Sequence, residues 1–289
     1  MNTQPTSDSC LNCGGPVSSH FCAACGQRNR DLRASLSHLI SEMANEAFEF
    51  DSRIRQTLSP FLFHPGQLTK EYNAGRRMKY SSPLRIYLFA SFLFFMAYSL
   101  RPVARAVRVN QTAARIEEAT RRISALSVEG AAPSKLHNLD KMGWFGKRLR
   151  EQTEKFLALD VEGRREMSLR IRAEFVNALP KMMFLLLPLF ALILKGLYWR
   201  TFYVEHVVFA FHLHAFAFLA LIPAVLIGST WFTMTVIMLV LAYWLVATRN
   251  VYQDSWALTL LKFLLLAIPY GFFELVALSA ASLASFFTA

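Results

Sequence analysis

An all-α multi-pass membrane protein with a small N-terminal β module is the fold class that the sequence predicts, on three observations. Hydrophobic residues make up 54% of the 289, above the roughly 45–50% of a soluble domain. That excess is gathered into five runs that approach or exceed the length needed to cross a hydrocarbon core of about 30 Å. The only cysteines, four of them, all fall in the polar first 30 residues. The same composition excludes a disordered chain, a collagen-like repeat and a disulfide-dense secreted module. With a formal net charge of +11, the position of the cations becomes the main clue to orientation.

Residues 1–30 hold Cys10, Cys13, Cys22 and Cys25 as two Cys-x-x-Cys pairs, each followed by a glycine, Gly14 and Gly26. Two residues between thiolates let both reach one ion from a single tight turn, and glycine takes the positive φ such turns need. Gly15-Pro16 suits a chain reversal between short strands. The pattern reads as a four-cysteine zinc ribbon holding one structural zinc per chain, with no open coordination position for chemistry. Disulfides would need an oxidising compartment, and this N-terminus shows no apolar run of a secretory signal. A redox Cys-x-x-Cys would need a βαβ pattern that is missing here, and His20 would serve as a ligand only in place of one of the four thiolates.

Residues 31–83 are read as a cytosolic amphipathic helix and a basic, aromatic approach to the membrane. Leu36, Ile40, Met43, Ala47, Phe50, Ile54 and Leu58 recur every three or four residues, giving one apolar helical face, and Pro60 is expected to stop it. Arg76, Arg77, Lys79 and Arg85 suit an anionic leaflet, and Tyr72, Tyr80 and Tyr87 the headgroup zone. Two readings stand: plain anchoring, or contact with a lipid headgroup or phosphate by Arg76, Arg77 and Lys79, with Glu71 orienting the guanidiniums.

The order Cys-x-x-Cys-Gly, Cys-x-x-Cys-Gly-Gln, amphipathic helix, Asp51 to Thr57-Leu58, Pro65-Gly66, Glu71-Tyr72, Gly75-Arg76-Arg77, Tyr80 and Pro83 resembles a bacterial family of multi-pass membrane proteins. That family has an N-terminal four-cysteine zinc ribbon and is a domain of unknown function. The resemblance covers about residues 10–100, and Tyr203 to Phe216 is also similar. It implies no reaction, so it carries over no catalytic residue; the expected location is a bacterial inner membrane.

The first membrane span is residues 84–100, bearing one charge, Arg85, at its start. A helical basic loop follows at 101–181, with 17 of the 31 Lys and Arg and 10 of the 20 Asp and Glu. Helices are expected there at Val103–Leu126 and Arg148–Leu179. The C-terminal bundle, 182–289, supplies the second to fifth spans: Met182–Trp199, Val204–Ile227, Trp231–Ala247 and Trp256–Phe287. Gly228-Ser229-Thr230 is short enough only for a hairpin turn, and Pro269 leaves the last run as one kinked helix, the favoured reading, or two.

Lys195, Arg200 and Arg249 lie in short loops on one side, and cations in short loops face the cytoplasm. Counting back puts the N-terminus in the cytoplasm too, while the long basic loop, whose side stays open, falls outside on this count. Within the bundle, Glu205, His206, His212, His214 and Glu274 are the candidates for an intramembrane polar site, because ionisable groups in hydrocarbon are costly. At 100° per residue His212 and His214 stand about 160° apart, so one helix cannot aim all three histidines at one ion.

The partners expected are the lipid bilayer and a cytosolic protein met through the ribbon, in the role of a non-enzymatic adaptor or assembly factor. The competing expectation is a small transporter or membrane-embedded enzyme using the Glu/His cluster. Mixed charges argue against nucleic acid, and no Gly-x-Ser-x-Gly, Walker A or His-Glu-x-x-His motif supports an enzyme.

Overall fold

A computed structural model describes residues 9–17, 20–27, 53–100 and 143–288. The expected helix at Val103–Leu126, and the part of the amphipathic helix before Arg53, lie outside the described residues. The helices are α1 (Ile54–Phe63), α2 (Gln67–Asn73), α3 (Pro83–Leu100), α4 (Gly143–Ala158), α5 (Val161–Leu197), α6 (Tyr203–Ile227), α7 (Thr230–Tyr252) and α8 (Trp256–Thr288). Five of them, α3 and α5 to α8, are long and apolar enough to cross a membrane. The chain divides into two compact units: Met1–Tyr98 with Met183–Phe273, and Ser99–Met182 with Glu274–Ala289.

α6 is the core of the first unit. Every residue from His206 to Phe216 is buried, which is the signature of a helix enclosed on all sides rather than amphipathic. Tyr87 of α3 packs on Phe211 at 5.3 Å, Phe190 of α5 on His214 at 5.0 Å and Phe61 of α1 on Phe216 at 6.2 Å between ring centroids. α7 returns antiparallel after Gly228, whose φ of 69° makes the left-handed turn that ends α6. Phe216 and Tyr243 stack at 3.5 Å across the hairpin, and Trp244 Nε1 donates to the Leu213 carbonyl at 3.1 Å. The outward faces of α7 and α8 expose Met238, Leu239, Leu264 and Ile268, as a surface solvated by lipid would.

Residues 54–73 differ from expectation. The sequence expects Pro60 to stop the helix, yet it lies inside α1, and the helix ends three residues later. Its ring deletes only its own N–H bond, and its carbonyl still accepts the His64 N–H at 3.2 Å. The real break is Gly66, at φ 82°, packed so closely that a Cβ would stand 2.9 Å from the Ala247 carbonyl oxygen. α1 and α2 therefore form an elbow laid against α6 and α7. Tyr243 Oη donates to the Phe61 carbonyl at 2.5 Å and Asn250 Nδ2 to the Pro65 carbonyl at 3.0 Å.

In the second unit, the expected helix Arg148–Leu179 is split at Leu159-Asp160. Asp160 Oδ1 accepts the Gly163 N–H at 2.8 Å, a side-chain cap that starts a new helix. α5 then runs unbroken to Leu197, joining the expected soluble helix and the expected second span. Gln152 Nε2 donates to the Phe286 carbonyl at 3.0 Å, and Phe145 meets Phe287 edge-on at 5.8 Å. α8 is one continuous helix with Pro269 inside it, the single-helix alternative of the two.

Candidate metal centre and buried histidines

The two cysteine pairs form matching loops. Cys10 N–H donates to the Gly15 carbonyl and Gly14 N–H to the Cys10 carbonyl; Cys22 with Gln27, and Gly26 with Cys22, repeat this, all at 2.8 Å. Gly14 and Gly26 have φ values of 74° and 73°, so each loop closes through a left-handed glycine. An antiparallel bridge joins Ser9 and Pro16.

These loops bring the four sulfurs within 4.8 Å of one another. Cys10 Sγ lies 3.6 Å from Cys25 Sγ, and Cys13 Sγ 3.6 Å from Cys22 Sγ. Four thiolates at about 2.3 Å from a tetrahedral ion stand about 3.8 Å apart, while a disulfide needs about 2.05 Å. The spacing thus fits ligands and not bridges. Backbone N–H groups of Cys25 and Ala24 lower the Cys22 thiol to about 7. Cys13, although the Gly15 amide pulls its pKa down, is pushed up to about 12 by hydrogen bonding with Cys22 and Cys25. Crowded thiols of this kind ionise together only around a cation. Among the described residues, these cysteines are the group of His, Cys, Asp and Glu side chains that can hold a metal ion.

The cysteine loops rest on the turn after α2. Gln27 Nε2 donates to the Gly75 carbonyl at 2.8 Å, and Gln27 Oε1 accepts the Arg77 N–H at 3.4 Å. Glu71, in α2, takes the fork of Arg76 from that turn, with Nε to Oε2 at 2.6 Å and Nη2 to Oε1 at 2.8 Å. This hydrogen bonding from Arg76 lowers the Glu71 pKa. Arg77 lies over the Tyr72 ring at 5.2 Å and Lys79 over Tyr80 at 5.3 Å. Arg76 thus already spends two donors on Glu71.

The histidines of α6 each go to a different partner. His206 Nδ1 is 2.6 Å from Tyr252 Oη, His212 Nδ1 is 2.9 Å from Thr69 Oγ1, and His214 Nε2 is 2.7 Å from Tyr270 Oη. His214 Nδ1 is 2.8 Å from the Ala210 carbonyl; a carbonyl only accepts, so Nδ1 carries the hydrogen. Glu205 sits in the first turn of α6, where a carboxylate suits the positive helix end. Glu274 belongs to the second unit. Lys262 pairs with Asp254 at 2.9 Å and lies 4.0 Å over the Tyr198 ring, which stacks on Tyr252 at 3.7 Å.

Sequence reasoning did not find Thr69, Gln27, Tyr252 or Tyr270 as partners. The Thr69–His212 pair is separated by 143 residues and His214–Tyr270 by 56, so no local spacing betrays them. Gln27 was visible only as the residue closing the second Cys-x-x-Cys-Gly. Residues 51–95 match a protein family described as a protein of unknown function (DUF3667). No curated protein and no solved structure matches the chain.

Proposed function

We propose that this integral membrane protein is a non-enzymatic adaptor or assembly factor of a bacterial inner membrane. Its ribbon holds one structural zinc through Cys10, Cys13, Cys22 and Cys25 and meets a protein partner in the cytoplasm. The observation that carries the reading is the four-sulfur cluster with every ligand position taken, because such a centre supplies folding energy and a rigid surface but no site for a substrate. Zinc, when bound, supplies the cross-link that holds the two loops together.

The orientation follows from charge. Pro65 is tied to Asn250, next to Arg249, whose guanidinium lies 4.3 Å from the Trp256 ring centroid. Short loops bearing cations favour the cytoplasmic side and tryptophan marks an interface of either side, and the elbow that leads to the Gly75 turn lies at that end of α7. The dispersal of His206, His212 and His214 to three separate hydroxyls supports a bracing role over a shared catalytic or transport centre.

The test compares two sets of variants in a host with a phenotype for loss of the gene. Changing His206, His212 and His214 singly to Asn should keep the function of whatever protein accumulates, whereas changing the four cysteines to Ser should abolish function. Loss of function from the histidine set, at normal abundance, would overturn the adaptor reading in favour of the transporter or enzyme.

A further inference from the structure

The ribbon meets the turn at residues 74–77 through one residue of each cysteine loop. Leu11 lies between Cys10 and Cys13, and Gln27 follows Cys25-Gly26. Gln27 is buried to 7% exposure and binds both sides of the turn, the Gly75 carbonyl and the Arg77 N–H. Leu11 occupies the space beside Gly75, where a Cβ would stand 2.7 Å from Leu11 Cδ1, and Gly75 has φ 86°. The left-handed backbone favours glycine there, and a Cβ would push the Leu11 side chain off the turn.

The interior of the ribbon is made of Cys10, Val17 and Cys22, with Cys25 packed against them. Apart from Val17, the residues that would hold the module together are the sulfur ligands themselves. Such a core is too small to fold without a cross-link. The Gln27 carbonyl accepts the Cys22 N–H, and the bond from Cys10 N–H to the Gly15 carbonyl closes the loop that carries Leu11.

We propose that the Leu11–Gln27 face is an intramolecular docking surface for the Gly75 turn that forms only when the four-thiolate centre is loaded, so that metal occupancy clamps the chain entering α3. This inference rests on the zinc reading above. Farther along, the chain is held independently, by Arg53 Nη1 on the Met78 carbonyl at 3.3 Å and by Ser81 N–H on Thr57 Oγ1 at 2.9 Å. The N–H groups of Ala74, Gly75 and Arg76 are bonded to the Lys70, Tyr72 and Glu71 carbonyls whatever the ribbon does, so release is read at Arg77 N–H, the amide that Gln27 Oε1 accepts. A partner of the ribbon must then use a face other than Leu11–Gln27.

The experiment is hydrogen–deuterium exchange of the full chain in nanodiscs, resolved to the Arg77 amide that Gln27 accepts, with zinc content measured on each sample. Loaded wild type should be protected there, and removing zinc with a high-affinity chelator should speed exchange at least about tenfold while residues 54–70 stay unchanged. Gln27→Ala should speed it about fivefold with zinc retained, as expected for one buried hydrogen bond. Should that variant fail to load zinc, Gly75→Ala, which lies outside the ribbon, should give the same exposure with zinc in place. Unchanged exchange on zinc removal, or protection in a zinc-loaded Gly75→Ala variant, would overturn the clasp while leaving the zinc centre intact. A wild-type chain that binds no metal would overturn both.

Discussion

Thr69→Val is the sharpest perturbation of the elbow formed by α1 and α2. Valine keeps the branched shape and removes only the hydroxyl, leaving His212 Nδ1 without its 2.9 Å partner. Thr69 is 1% and His212 6% exposed, so water does not replace the lost bond. Stranding a buried polar group costs about 1–3 kcal/mol, whereas hydrogen bonds between membrane helices average about 0.6 and reach about 1.7 kcal/mol. α2 is only 7 residues long and held between Gly66 and Gly75, which leaves His212 little chance of finding another partner by local rearrangement. The expected cost is therefore near the top of the membrane range, about 1.5 kcal/mol. The assay is a double-mutant cycle of Thr69→Val and His212→Phe, read from unfolding equilibria in bicelles by steric trapping. Replacing both partners should be milder than the sum, with a coupling of about 1 kcal/mol. Additivity within about 0.3 kcal/mol would refute the bond as a structural tie.

Gly66→Ala should be worse, losing more than about 2 kcal/mol in the same assay. Alanine in the left-handed region costs roughly 1–2 kcal/mol, and its methyl would also press on the Ala247 carbonyl, which is backbone and cannot swing away; a loss under about 0.5 kcal/mol would contradict that packing. The Glu71–Arg76 fork gives a pH prediction. Glu71 is depressed by Arg76, so its contribution is complete above the ordinary glutamate range and disappears as acid carries the pH down through the folded-state value. The melting difference between wild type and Glu71→Gln should be small, since the Arg76 side chain is 43% exposed, and should close on acidification; a gap that widens would reverse the assignment.

The spans were legible because hydropathy over some 20 residues reports burial in lipid whatever the helices do with one another. The Gly228 hairpin was equally plain, since three residues leave no other connection between antiparallel helices. Local capping was less visible. The helical pattern over Arg148–Leu179 hides the break that Asp160 makes by capping Gly163, and Pro60 suggests a stop although a proline near a helix end removes only one bond. The elbow was hidden for a different reason. Thr69, Pro65 and Phe61 carry no signal of their own, and their partners His212, Asn250 and Tyr243 lie 143, 185 and 182 residues away. Periodicity reports which face of a helix is apolar, not which distant helix covers it. The polarity and spacing of the α6 histidines showed that they differ in direction around the helix, while the hydroxyls that receive them emerged only from the packing.

Elemental mass spectrometry of the purified chain tests the central claim most directly, comparing wild type with a variant in which Cys10, Cys13, Cys22 and Cys25 are Ser. The four-sulfur geometry predicts one zinc per wild-type chain and none in the variant. Metal-free wild type after purification without chelators would contradict the ribbon, and a metal that survives in the variant would place a second centre outside the four cysteines.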